Sequence, residues 1–252
     1  MTKVFWRRVV FFLGLLGVWQ GLASAQIWPA FLLPSPLTVG STLLQGCGDG
    51  TYLRAVTASL TRLVIGYSLS VMIGLPLGLL TGSVRWINQT VGALLLGLQT
   101  LPSICWLPLA LLWFGLNEWA IIFVVLMGAL LSISLAAEDS VQHTAHLYVR
   151  AARNMGASGW RLYAYVILPA ALPGIVTGMK LGWSFAWRAL MAGELLYGNV
   201  GLGHVLMMGR ELKDMNQGVA MIVGIILLGV GVDRVVFHPL QQRVRMRWGL
   251  AG

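Results

Sequence analysis

Apolar residues in this chain fall in long blocks separated by short polar runs. They do not follow the alternation of a half-buried strand or the single stripe of a surface helix. The blocks are Phe5 to Leu22, Thr57 to Leu80, Gln89 to Trp113, Trp119 to Ala137, Pro169 to Leu196 and Gln217 to Phe237. A run of about 20 apolar residues crosses a hydrocarbon core about 30 Å thick as a helix. In lipid, backbone polar groups must be satisfied within a helix or a closed barrel. Alternating barrel-length strands are absent, so the pattern predicts an all-α fold, a polytopic membrane bundle with one transmembrane helix per block. Pro102 and Pro108 interrupt the third block, which is expected to be a broken helix whose freed carbonyls are met by neighbours or a cavity.

Composition agrees with a membrane chain. Apolar residues make up 58% and charged residues 10%, against about 25% charged in soluble domains. The net charge of +9 would suggest nucleic acid in a soluble protein. Here the basic residues sit at block ends, so charge is read as topology and no nucleic acid is expected. With the N-terminus inside, the inner segments hold Lys3, Arg7, Arg8, Arg85, Arg150, Arg153, Arg161, Arg234, Arg243, Arg245 and Arg247. The outer segments and helix ends hold only Arg54, Arg62, Arg210 and Lys213. The expectation is a multi-pass protein of the plasma (inner) membrane with both termini cytoplasmic. The first block, preceded by Lys3, Arg7 and Arg8 and ending in Ala23-Ser24-Ala25, also resembles a signal peptide; it is read here as a retained helix. Leu33-Pro34-Ser35-Pro36 marks a turn in the first outer loop, and Leu37 to Leu44 is expected to lie along the outer surface. Cys47 falls in that loop and Cys105 in the third block, so Cys47 is expected outside and Cys105 buried.

The longest polar stretch, Glu138 to Val166, is cytoplasmic on this map and is where a soluble partner would dock. It reads as a short helix, a glycine turn and a second short helix. Arg150, Ala151, Ala152 and Arg153 lie in the first, Gly156 and Ala157 at the turn, and Ser158 at the start of the second. Gly156 suits the left-handed residue that ends a helix, Ser158 suits an N-cap, and Pro169 is tolerated in a first turn. Ala151 and Ala152 permit close approach by a partner, and the arginines suit an acidic rim. The chain is read as one domain over residues 1–252, with this segment at about 138–168.

At these residues the sequence resembles the permeases of ABC importers. Their signature is Glu-Ala-Ala, three residues, Gly, nine residues and Ile-x-Leu-Pro. Ala151, Ala152, Gly156, Leu168 and Pro169 match at the right spacing, while Arg150 replaces the Glu and Val166 the Ile. Leu33-Pro34-Ser35-Pro36, Leu107-Pro108-Leu109 with Trp113-Phe114-Gly115, Arg210-Glu211-Leu212, and Gln242-Arg243-Val244 to Arg247-Trp248 look like the sulfonate, nitrate, taurine and bicarbonate branch. The resemblance implies a type I importer permease carrying a small anion, with residues 150–158 as the coupling helix. It also implies a second permease chain forming a homodimer, two ABC ATPase subunits and an extracytoplasmic substrate-binding protein. No Gly-x-x-x-x-Gly-Lys-Ser/Thr loop is present. ATP and Mg are therefore expected on the ATPase subunits, with no cofactor and no enzymatic activity in this chain.

Two weaker constellations remain. Glu138, Asp139, His143 and His146 cluster at the inner end of the fourth block, where a metal site or acid–base pair competes with a hydrated helix end. In the fifth block Lys180, Ser184, Trp187, Met191 and Glu194 share a stripe, with Gly174, Gly178 and Gly182 nearly opposite. Ionisable residues within spans usually face a cavity or the bundle interior. Lys180, Ser184, Trp187, Arg188 and Glu194 are therefore candidates for the translocation pathway, and the glycines for close packing. Relatives tend to carry a basic residue two positions after the matching glycine, so Gly178 and Lys180 fit that pattern; Arg188 departs from it. Lys180 is expected near the midplane. A secondary transporter or channel, or a membrane enzyme using the Glu138–His146 cluster, are the alternative readings.

Overall fold

A computed structural model describes residues 2–27, 29, 32–144, 146–197 and 200–248. Among them every regular element is a helix. In chain order these are α1 (Thr2–Ser24), α2 (Pro36–Gly48), α3 (Thr51–Ser83), α4 (Arg85–Gln99), α5 (Ser103–Phe114), α6 (Glu118–Gln142), α7 (His146–Asn154), α8 (Gly159–Leu196), α9 (Leu202–Glu211) and α10 (Met215–Arg247). Four of the described helices, α3, α6, α8 and α10, are long and apolar enough to cross a membrane, and α4 with α5 makes up to five. Helix α1 has 23 residues and its described side chains are largely exposed, but Arg7, Arg8 and Gln20 keep it out of that set.

The chain divides into two compact units, Met1–Ser59 with Gly198–Leu228 and Leu60–Tyr197 with Gly229–Gly252. In the first, the Ser35 hydroxyl caps α2 by accepting from the Thr38 N–H at 3.2 Å, and Pro36 begins the helix. The Trp19 indole donates to the Pro34 carbonyl at 3.0 Å. The Leu202 N–H donates to the Ser59 hydroxyl at 2.9 Å, which satisfies one orphan donor at the start of α9.

In the second unit α6 is the central element. Leu63, Ile121, Val125, Ile133 and Leu190 form its main core, drawn from α3, α6 and α8. Glycines let both neighbours approach it closely. On α3, a Cβ at Gly74 would come 2.9 Å from the Leu130 carbonyl oxygen, and one at Gly82 would come 2.9 Å from that of Glu138. On α8, Gly174 faces Ser140, Gly178 faces Ala136 and Gly182 faces Ile133. The packing role expected of the α8 glycines is therefore observed.

These contacts also fix direction. Along α3, Gly66, Gly74, Gly78 and Gly82 meet Val125, Leu130, Ser134 and Glu138 in ascending order, so α3 and α6 run parallel. The intervening segment must then return the chain to its starting end. It does so as a broken element, with α4 and α5 bent by 102°. Near one end the Asn88 side chain donates to Glu138 at 2.6 Å, and near the other Ala110 packs with Ala120 and Val124. Helix α8 runs antiparallel to α6. Helix α10 runs antiparallel to α8, since Trp187 faces Gly229, Lys180 meets Asp233 and Gln241 donates to Thr177 at 3.5 Å. The third block is thus one crossing, broken by a sharp bend at its middle rather than merely kinked. This bend places Cys105 in a short 3₁₀ turn, where it is exposed on the single chain, which corrects the expected burial.

Two long helices contain a five-residue π-helical stretch just before a proline. Tyr163–Ile167 precedes Pro169, and Asp233–Phe237 precedes Pro239. A proline offers no N–H and crowds the carbonyl four residues back. In both helices the residue ahead of the proline bonds five residues back, Leu168 N–H to the Tyr163 carbonyl and His238 N–H to the Asp233 carbonyl. The widened turn makes room for the ring without ending the helix. Hence α8 starts at Gly159 and not at Pro169.

Candidate functional site: a glycine turn at the basic end

The ends of α3 and α6, the start of α8 and the end of α10 lie on one side of the second unit, with Arg85, Arg161 and Arg243 to Arg247 on that side. Helix α7 and its turn project there. Helix α7 ends at Gly156, whose φ is +85°. The Ala157 N–H donates to the Ala152 carbonyl at 2.9 Å, and the Gly156 N–H to the Arg153 carbonyl at 3.0 Å. This pair is the Schellman arrangement, in which a left-handed glycine satisfies the carbonyls orphaned at a helix end. Ser158 has the extended backbone of an N-cap, but its side chain makes no cap hydrogen bond. The hydroxyl expected to cap is therefore idle, and Gly159 (φ +53°) shares the turn.

Burial sorts the segment into anchors and a presented face. Ala152 is 4% exposed and Leu162 is buried, so the turn is pinned from beneath. Arg150, Ala151, Arg153, Gly156 and Ser158 are exposed and Ala157 partly so. Leu147, Tyr148, Met155, Trp160 and Tyr165 are exposed beside them. Tyr148, Met155, Tyr165, Pro169 and Trp248 border a groove of about 350 Å³. Leu168 and Pro169 are half-buried and start the straight part of α8. The sequence reading emphasised arginines and missed this apolar content. Its signal was present in large apolar residues inside an otherwise polar connector.

The remaining candidates divide. His143 Nδ1 lies 2.9 Å from Asp139 Oδ1, both exposed, and no group of three metal-ligating side chains occurs among the described residues. Glu138 points elsewhere, to Asn88 and Gln142. The side chain of His146 lies outside the described residues. On α8, Lys180 is paired with Asp233 at 2.8 Å. Next to that pair Tyr67, Trp183 and Phe237 form a cluster with ring centroids 5.1 to 6.4 Å apart. Lys180 therefore ties α10 to α8, at the level where Gly178 and Gly182 of α8 meet Ala136 and Ile133 of α6. Trp187 packs against Gly229 and the main core. Ser184 and Arg188 are exposed.

Glu194 does not line an open route in this structure. It is 1% exposed and accepts from Arg62 Nη1 at 2.9 Å. Arg62, itself 3% exposed, also donates to Glu118 at 2.8 Å. This triad, buried at Arg62 and Glu194 and open to the surface at Glu118, joins α3, α6 and α8 near the ends opposite the basic side. The charge count alone assigns Arg62 to the outer segments and helix ends. Its place inside an apolar block was the available signal, since intramembrane charges pair with one another.

Residues 74–245 match the family described as binding-protein-dependent transport system inner membrane component. The chain is 33% identical over 222 residues to a putative ABC transporter permease of Methanocaldococcus jannaschii, covering 86% of this chain and 83% of that one. It is 29% identical over 236 residues to the taurine transport system permease of Escherichia coli K12, covering 92% and 83%. It is 33% identical over 239 residues to a putative aliphatic sulfonates transport permease of the same organism, covering 94% and 90%. In fold it is similar to the methionine ABC transporter MetNI in an inward-facing conformation, with a TM-score of 0.68, 21% identity, and coverage of 77% and 96%. The chain belongs to the inner-membrane component family of binding-protein-dependent transport systems, and is an ABC importer permease.

Proposed function

We propose that two copies of this chain form the membrane pathway of an ATP-driven importer for small anions of the sulfonate type. The Gly156 turn carries this reading. It is a conformationally specified knob, with exposed Arg150, Arg153, Met155 and Trp160, at the basic end of the second unit, which we read from the charge bias as the cytoplasmic end. An ATPase subunit there would hold ATP and Mg and push on α7. Pro169 and the π turn join that push to α8. A binding protein would deliver substrate on the other side. The anion class follows from relatives whose names specify taurine and aliphatic sulfonates. An anion in a low-dielectric route needs a compensating cation, and α8 supplies basic side chains. Both termini are cytoplasmic in this arrangement.

The test is uptake of radiolabelled taurine, ethanesulfonate and nitrate by proteoliposomes containing the chain, its ATPase and its binding protein. Uptake of at least one should require hydrolysable ATP and the binding protein. Uptake driven by an ion gradient without ATP would establish a secondary transporter instead.

A further inference from the structure

The bend between α4 and α5 encloses a cavity of about 150 Å³, lined by Gln99, Ser103, Trp106, Ser132 and Phe185 among others. Thr100 is also in the lining and its hydroxyl donates to the Gly97 carbonyl at 2.7 Å, but the other polar side chains there are unpaired among the described residues. Serines inside these helices usually donate to a carbonyl: Ser70 to Gly66, Ser134 to Gly74, and Ser140 to Ala136. Ser132 is 4% exposed, yet its hydroxyl makes no hydrogen bond within the described residues. The Ser103 hydroxyl, the Gln99 amide and the Trp106 indole N–H likewise make none there. A buried hydroxyl without a partner costs about 1–3 kcal/mol, so Ser132 gains from an occupant of the cavity, and the partly buried Ser103, Gln99 and Trp106 line the same space with unpaired donors. Three of them are hydroxyl or indole donors, and Gln99 adds two N–H donors.

A cation lies against one lining residue without itself lining the cavity. The Arg188 guanidinium lies 4.4 Å from the centroid of the Phe185 ring, which lines the cavity. Its Nε donates to the Ser184 carbonyl at 3.2 Å. Its terminal nitrogens make no hydrogen bond or ion pair within the described residues, whereas Lys180 and Arg62 are both engaged by carboxylates. The depth also suits a pathway. The neighbouring Ala189 packs on Gly128, which lies midway along the apolar run of α6 and borders the same cavity. An exposed guanidinium at that depth is costly unless it faces water or an anion.

We propose that this cavity is an anion subsite, with Arg188 as its charge partner and Ser103, Ser132, Gln99 and Trp106 as donors to the anion's oxygens. The proposal rests on the import reading and names the residues that would set its substrate class. A compact oxyanion with three oxygens matches a ring of donors around one guanidinium. Gln99 also borders a cavity of about 500 Å³ towards the basic end, beside Glu138, which gives the subsite an exit where a carboxylate favours release.

The experiment is equilibrium binding of radiolabelled taurine, with ethanesulfonate and nitrate as competitors, to the permease–ATPase complex in nanodiscs without binding protein. Wild type should bind saturably. Arg188→Gln, at an exposed position, should weaken binding at least about tenfold, and Arg188→Lys should stay within about threefold of wild type. Ser132→Val, which removes a donor and fills the cavity, should weaken it as Arg188→Gln does. Wild-type affinity in Arg188→Gln overturns the proposal. So does absence of binding by a complex that imports anions once binding protein is added. A complex that neither binds nor imports any of the three anions defeats the import reading as well, and so separates the two failures.

Discussion

At the scale of residues, the buried charges are structural and the exposed ones are available for function. Arg62 and Glu194 satisfy each other away from water. Removing one partner of a buried pair costs about 3–5 kcal/mol, while replacing both with apolar groups is often neutral. Arg62→Met should therefore lower the thermal midpoint of the detergent-solubilised protein markedly, and Arg62→Met with Glu194→Met should recover much of the loss. Equal destabilisation in the single and double variants would mean that the pair does not hold α3 to α8. Lys180 makes a similar point. Sequence alone placed it on a pathway stripe, because an intramembrane cation signals function by default. Its partner Asp233 lies 53 positions away, beyond the reach of any periodicity argument. Exchanging the two charges, Lys180→Asp with Asp233→Lys, should keep the thermal midpoint closer to wild type than either single change does.

At the scale of elements, the glycines of α3 and α8 set the spacing around α6. A Cβ at Gly78 would collide with the Ser134 carbonyl oxygen, and one at Gly178 with the Ala136 side chain. Backbone cannot yield as a side chain can, so Gly78→Val should abolish a monodisperse species in size-exclusion chromatography, and Gly178→Leu should reduce it. A normal elution profile for Gly78→Val would refute the observed α3–α6 approach. Much of this level was legible. Long apolar blocks gave α3, α6, α8 and α10, and the four-residue glycine spacing gave the packing face of α8. The bend after Gln99 was legible only as an interruption, because Pro102 and Pro108 report that a helix breaks but not by what angle. The π turns before Pro169 and Pro239 were hidden. A proline in an apolar block reads as a helix start, and only tertiary packing shows that the helix continues through it. For the site, Gly156 and its flanks were legible from spacing, whereas Met155, Trp160 and the cavity lining gain meaning only once faces are assigned.

At the scale of the whole molecule, two cysteines report on topology. Cys47, at the end of α2, should react with an impermeant maleimide in intact cells. Cys105 should stay unlabelled there and react only after solubilisation and dissociation of the assembled transporter, since it is exposed on the single chain. Labelling of Cys105 but not Cys47 in intact cells would invert the map. The central claim is that force from ATP hydrolysis enters through the turn at Gly156. The backbone there is left-handed, and among the described residues no atom beyond the adjoining chain lies within 4 Å of where a Cβ would be. A substitution consequently meets no clash and costs only the conformational penalty, about 1–2 kcal/mol, most of all for a β-branched residue. The decisive measurement is the ratio of taurine imported to ATP hydrolysed by Gly156→Val in proteoliposomes with ATPase and binding protein. Hydrolysis should continue while uptake falls to background; uptake per ATP equal to wild type would contradict the account.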